Sequence, residues 1–128
     1  MSDPIILTPE DIAKYRKQFS QNNQKKALYA LDIIEAVGGD VTKAASMLAP
    51  KYNVVVSRAV PDILEELAKK SRNLVCNEKF IDHLENGLSS AAIGLLLTGQ
   101  IPEALAALLV MYLNQKGIKK WCNSHSQE

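Results

Sequence analysis

One stretch constrains the fold more than any other, the run LSSAAIGLLLTGQIPEALAALLVMYL from 88 to 113, in which Glu103 is the only charge. A membrane-spanning helix needs about 20 uninterrupted apolar residues. Here the turn-forming residues 99–102 and Glu103 fall near the centre, where a broken backbone and a charge cost most. The sequence therefore predicts two apolar helices joined by a turn, and such all-round apolar helices are typical of a buried core.

The remaining helices are predicted from their start and stop signals. Thr8-Pro9 begins the first helix, Gly38-Gly39 ends the second, and Asn77 and Gly87 bracket another. The β-branched run 54–56 could form a strand, but the sequence has no second run of that kind with which it would pair. The pattern therefore favours helical or irregular structure there, and an all-α fold throughout.

Length and composition complete the fold prediction. A chain of 128 residues fits one domain, and 47% hydrophobic with 23% charged residues is typical of a globular chain. We therefore predict a compact single-domain bundle of six or seven short helices over residues 1–121, with the apolar hairpin in its centre. Residues 122–128 are predicted to form a disordered tail.

Charge and cysteine content narrow the class of protein. The net charge of +1 argues against a strong overall field for nucleic acid or an anionic membrane. The amino terminus lacks the basic start and long apolar run of a signal peptide. We therefore expect Cys76 and Cys122 to be reduced, and the protein to be cytoplasmic. Trp121 and its neighbouring lysines resemble a membrane-surface cluster, but the helix dipole accounts for lysines at a helix end.

A zinc site is the first chemical candidate. Cys76, His83, Cys122 and His125 supply the atoms of a Cys₂His₂ site, but their spacing contains no paired CxxC motif. We therefore predict no metal at these residues.

Acid–base chemistry is the second candidate. Glu78, Asp82 and Glu85 share one face of a predicted helix near His83. A solvated helix face is the usual meaning of such a row. The sequence has no glycine-rich phosphate loop, GxSxG or HExxH motif. We predict that the protein is not an enzyme and binds no cofactor.

More apolar helix is present than a small bundle needs to fold. This excess favours a non-catalytic protein–protein interaction or assembly module, whose partner is another protein or a second copy bound through the apolar C-terminal helix. The predicted contact residues are Leu95, Leu96, Leu105, Leu108, Leu109 and Tyr112.

A family resemblance supplies the alternative function. The segment ALYALDIIEAVGGDVTKAASMLA, residues 27–49, resembles the first part of a Fis-type helix-turn-helix. The resemblance implies a DNA-binding regulator built on residues 27–60, whose recognition helix would follow Leu48 and enter the major groove. In this chain Pro50 and three valines stand at that place. The DNA contacts implied are Lys43, Lys51 and Arg58.

Overall fold

The computed structural model describes residues 5–52 and 62–124. Within these ranges the chain is helical, and the one β contact is an isolated bridge between Ile6 and Asp40. The all-α prediction is therefore confirmed for the described residues. The helices are α1 (Pro9–Gln21), α2 (Lys25–Ala36), α3 (Val41–Leu48), a 3₁₀ turn (Ala49–Tyr52), α4 (Ile63–Lys70), α5 (Arg72–Val75), α6 (Glu78–Glu85), α7 (Ser89–Thr98), α8 (Glu103–Lys116) and α9 (Ile118–Ser124).

The described residues contain nine α-helices, where six or seven were predicted. Two interruptions account for the difference. Helix α4 ends at Lys70, and after Ser71 the chain starts the single turn α5. Gly117, at φ +89°, separates α8 from α9. The β-branched run 54–56 and Arg58 lie outside the described residues.

Local capping fixes the helix starts where the sequence predicts them. The Thr8 side chain accepts a hydrogen bond from the Asp11 N–H, and the Asp11 carboxylate accepts one from the Thr8 N–H. Asp40 caps α3 through the Lys43 N–H, and Asn77 caps α6 through the Lys79 N–H. Each cap satisfies a backbone donor that has no partner within its helix.

The turn between α2 and α3 depends on two glycines with positive φ, Gly38 at +71° and Gly39 at +89°. The N-terminal segment crosses this turn, where the Leu7 N–H donates to the Gly39 carbonyl at 2.8 Å. A β-carbon on Gly39 would lie 2.5 Å from the Leu7 carbonyl oxygen, whereas one on Gly38 would meet nothing within 4 Å. Both positions favour glycine because their φ is positive. Position 39 also needs glycine because a β-carbon there would clash with Leu7.

We expect Gly39→Ala to destabilise the protein more than Gly38→Ala. The left-handed conformation alone costs a residue with a β-carbon about 1–2 kcal/mol, and this cost applies at both positions. At Gly39 the clash with Leu7 adds to it, because backbone must shift to relieve the contact. Urea denaturation of the two variants measures the difference, and equal losses would contradict a close approach of the N-terminal segment.

Helix α8 lies at the centre of the packed helices. It contacts α2, α3, α4, α7 and α9, and every side chain from Ala104 to Leu113 is at most 1% exposed. The predicted hairpin is confirmed, since α7 ends at Thr98, the turn covers 99–102, and α8 follows. Gln100 rather than Gly99 takes the positive φ, at +66°. Among the described residues no helix is long and apolar enough to cross a membrane.

The cysteine prediction is wrong, because Cys76 and Cys122 form a disulfide. Their Cα atoms lie 5.7 Å apart, although 46 positions separate them in the chain. The bond joins the end of α5 to α9, which continues to Ser124 and so passes the predicted domain end at residue 121. Residues 122–124 are therefore helical and not part of a disordered tail, while the single-domain assignment stays a prediction.

Candidate partner-binding surface

Five of the six predicted contact residues lie in the core. Their side chains, all at 0–1% exposure, are Leu96, Leu105, Leu108, Leu109 and Tyr112. Only Leu95 is partly exposed. Among the described residues, Ala104 to Leu113 of α8 are buried by the helices packed on them, and self-association through this helix stays a prediction.

Glu103 lies in the first turn of α8 and also stabilises the start of α2. In the structure its carboxylate accepts hydrogen bonds from the backbone N–H groups of Lys26 at 2.8 Å and Ala27 at 3.1 Å. These groups begin α2, whose own cap residue Gln24 makes no capping bond with its side chain. A carboxylate there is favoured by the positive end of the α2 dipole.

Tyr112 lies near the C-terminal end of the buried stretch of α8, and its hydroxyl belongs to a polar cluster. Its hydroxyl lies 2.9 Å from both Asp62 Oδ2 and Glu65 Oε1, which share its proton as acceptors. The Trp121 indole N–H donates to Glu65 at 2.9 Å. The Lys116 ammonium lies 5.0 Å from the Tyr112 ring centroid. This cluster joins α4, α8 and α9, and it occupies Tyr112 within the chain.

Ionisation of Tyr112 makes the free energy of unfolding depend on pH. Burial, and next the Asp62 carboxylate, raise the pKa of Tyr112 above its usual value of about 10. The folded chain therefore keeps the phenolic proton at a pH where the unfolded chain releases it. The stabilisation is complete below about pH 10 and is lost as pH rises towards the folded pKa.

We expect Tyr112→Phe to weaken the loss of stability in alkali. Between about pH 10 and pH 11 the free energy of unfolding of the wild type should fall more steeply, by up to about 1.4 kcal/mol per pH unit. The pKa of Tyr15 is also raised by burial, but Tyr15 remains in both proteins and cancels in the comparison. Urea titrations at several pH values measure both slopes, and parallel slopes would contradict a buried phenolic proton at Tyr112.

The basic C-terminal cluster is also engaged within the chain. Trp121 is 4% exposed and bound to Glu65, so its ring is not presented to a membrane surface. Lys119 lies 3.3 Å from Glu85 in an ion pair. Trp121 and Lys119 are therefore both bound to acidic side chains of other helices.

The residues of the DNA-binding alternative have different surroundings. Lys43 is exposed on α3. Lys51 donates to the Tyr29 hydroxyl at 2.6 Å and lies 4.9 Å from that ring centroid, and the hydrogen bond raises the pKa of Lys51. Arg58 lies outside the described residues. After α3 the described chain continues as a 3₁₀ turn to Tyr52, and most of the place of the recognition helix lies outside the described residues.

The acidic row of α6 faces solvent, as its pattern indicates. Asp82 and Glu85 are exposed and His83 is partly exposed. Within residues 5–52 and 62–124 no group of three or more histidine, cysteine or acidic side chains could hold a metal ion. The disulfide uses both cysteines of the zinc candidate, and His125 lies outside the described residues.

The surface that sequence reasoning missed is the outer face of α7. We use "α7 outer face" for the residues of this helix and its N-cap that lie away from its buried side, Leu88, Ala91, Gly94, Leu95 and Thr98. Leu88 is 48% exposed, and Leu95 is partly exposed. No charged residue occurs from Leu88 to Thr98. An exposed helix face normally carries charges. The absence of charges from this segment predicts burial, so the sequence pattern does not reveal that one face of the helix is exposed.

Gly94 is the least expected residue on this face. Glycine inside a helix costs about 1 kcal/mol relative to alanine. A β-carbon at Gly94 would meet nothing within 4 Å. Packing within the described part of the chain therefore gives no reason for glycine at this position.

In the described residues the fold is all-α, with a buried apolar core and one helix, α7, whose exposed face carries no charge. A family model described as "Anaphase-promoting complex, cyclosome, subunit 4" matches residues 54–127, more than half of the chain. The chain therefore belongs to that family. The match includes α4 to α9, and so the whole α7 outer face. Searches of curated proteins and of solved structures find no match.

Proposed function

We propose that this chain is a non-catalytic assembly subunit that docks into a multi-subunit complex through the α7 outer face. The observation that carries the proposal is an exposed, uncharged helix face whose large side chains are Leu88 and the partly exposed Leu95. The family description, which names a complex subunit, supports the same role. A cytoplasmic location stays a prediction.

The contact that we propose is helix against helix. Ala91, Gly94 and Thr98 are small and follow one another at three- and four-residue steps, so that they lie along one line of α7. A partner helix could approach closely over them, while Leu88 and Leu95 beside that line would bury apolar surface. The glycine at position 94 would then be explained by the partner.

The test uses Ala91→Glu on the α7 outer face, with Ala13→Glu on α1 as the matched control. Both alanines are exposed, so both variants should keep stability within about 0.5 kcal/mol of the wild type. We expect tagged wild type and Ala13→Glu to elute from native cell extract in a complex far larger than 14.1 kDa. Ala91→Glu should elute alone, because the contact would bury an unpaired carboxylate.

Two outcomes would contradict parts of the proposal. Elution of the tagged wild type at its own mass would remove the assembly role. Elution of Ala91→Glu with the complex would keep the role and remove the α7 outer face. Light scattering of the pure chain separates a second copy from other partners, because a self-assembly lost on Ala91→Glu would make the partner this chain itself.

A further inference from the structure

The two sulfur atoms of the disulfide lie in different surroundings. Cys76 is partly exposed and lines an open groove of about 820 Å³ between α6 and α9. Cys122 is 8% exposed and lies on the inner side of α9 with Ile118 and Trp121. A dissolved molecule therefore reaches Cys76 before Cys122.

The groove carries charges of both signs. Its lining contains Lys79 and Lys119 together with Glu78, Asp82 and Glu85, and Lys119 is paired with Glu85. Exposure of Cys76, and not a positive field, therefore gives a small thiolate its access to the disulfide.

We infer that Cys76 is a site of reversible modification by a small-molecule thiol, which opens and closes the Cys76–Cys122 bond. The thiolate attacks Cys76 Sγ, a bond forms between these two sulfurs, and the bond to Cys122 breaks. Cys122 leaves as a thiolate and takes a proton from water. A second thiolate attacks the added sulfur, which releases Cys76 as a thiolate and the two small thiols as their disulfide. Two electrons thus pass from the small thiols to the protein.

The fold can hold both states of the pair. Cys122 Sγ lies 3.9 Å from the Val75 carbonyl oxygen, which can accept the thiol proton after reduction. The Trp121 hydrogen bond to Glu65 holds α9 independently of the disulfide. Opening the bond therefore frees the groove side of α9 while its inner side remains packed. The inference depends on these contacts and not on the assembly role.

The first experiment compares two single-cysteine variants, Cys122→Ala and Cys76→Ser, after reduction. Each is mixed with oxidised glutathione, and the mass of the chain follows the mixed disulfide. We expect the chain that keeps Cys76 to react at least about tenfold faster than the chain that keeps Cys122, because exposure controls access to the thiolate. Equal rates, or faster reaction of Cys122, would overturn the inference.

The second experiment uses the wild type and needs no variant to fold. The oxidised protein is mixed with excess reduced glutathione, quenched with acid, and digested for peptide mass mapping. We expect the adduct on Cys76, and re-formation of the disulfide when oxidised glutathione is restored. An adduct on Cys122, or a disulfide that stays intact at the glutathione ratio of the cytosol, would overturn the inference.

Discussion

Leu108→Ala should lower the free energy of unfolding by about 2–5 kcal/mol, the range for removing a large side chain from a packed core. Leu108 is 0% exposed on α8, and five helices pack on α8. The loss is large against the 5–15 kcal/mol that holds a typical domain. Urea denaturation followed by circular dichroism measures it.

Leu97→Ala is the matched control for Leu108→Ala. Leu97 belongs to the same hairpin and to the same residue type, but it is 40% exposed near the end of α7. We expect it to change stability by no more than about 0.5 kcal/mol. If Leu108→Ala were as mild, and instead weakened binding to a partner, the result would support the predicted contact surface on α8.

Removing the disulfide should cost about 4 kcal/mol, because the bond closes a loop of 46 positions and restricts the unfolded chain. The suitable variant combines Cys76→Ser with Cys122→Ala. Serine suits the partly exposed position, and alanine leaves no unpaired hydroxyl at the buried one. Thermal and urea unfolding of this double variant and of the wild type measure the loss.

Reduction provides an independent control for the disulfide. A strong dithiol should lower the stability of the wild type towards that of the double variant, and should leave the double variant unchanged. Equal stability of the oxidised wild type and the double variant would show that the bond does not constrain the unfolded state.

Helix positions could be predicted from the sequence because capping is local. Thr8 and Asp11 bond each other across three residues, and Asp40 and Asn77 bond N–H groups within the next turn. Neither kind of contact depends on the rest of the fold. The hairpin turn was predictable for the same reason, since Gly99 to Pro102 interrupt any helix that contains them.

The candidate site could not be predicted because exposure is set by distant neighbours. Helices α7 and α8 have the same uncharged composition, yet five other helices cover α8 while one side of α7 remains open. Glu103 bonds the N–H of Lys26, 77 positions away, and the cysteines meet across 46. No spacing rule in the sequence identifies such pairs.

The central place of α8 has a consequence for synthesis of the chain on the ribosome. Helices α1 to α3 are made first, but α2 and α3 pack on α8, and the first turn of α2 is capped by Glu103. At about 5–20 residues per second, roughly 3–14 s pass between the completion of α3 and that of α8. During this interval the apolar sides of α2 and α3 lack their final cover. The nascent chain is therefore a natural client for ribosome-associated chaperones over that interval.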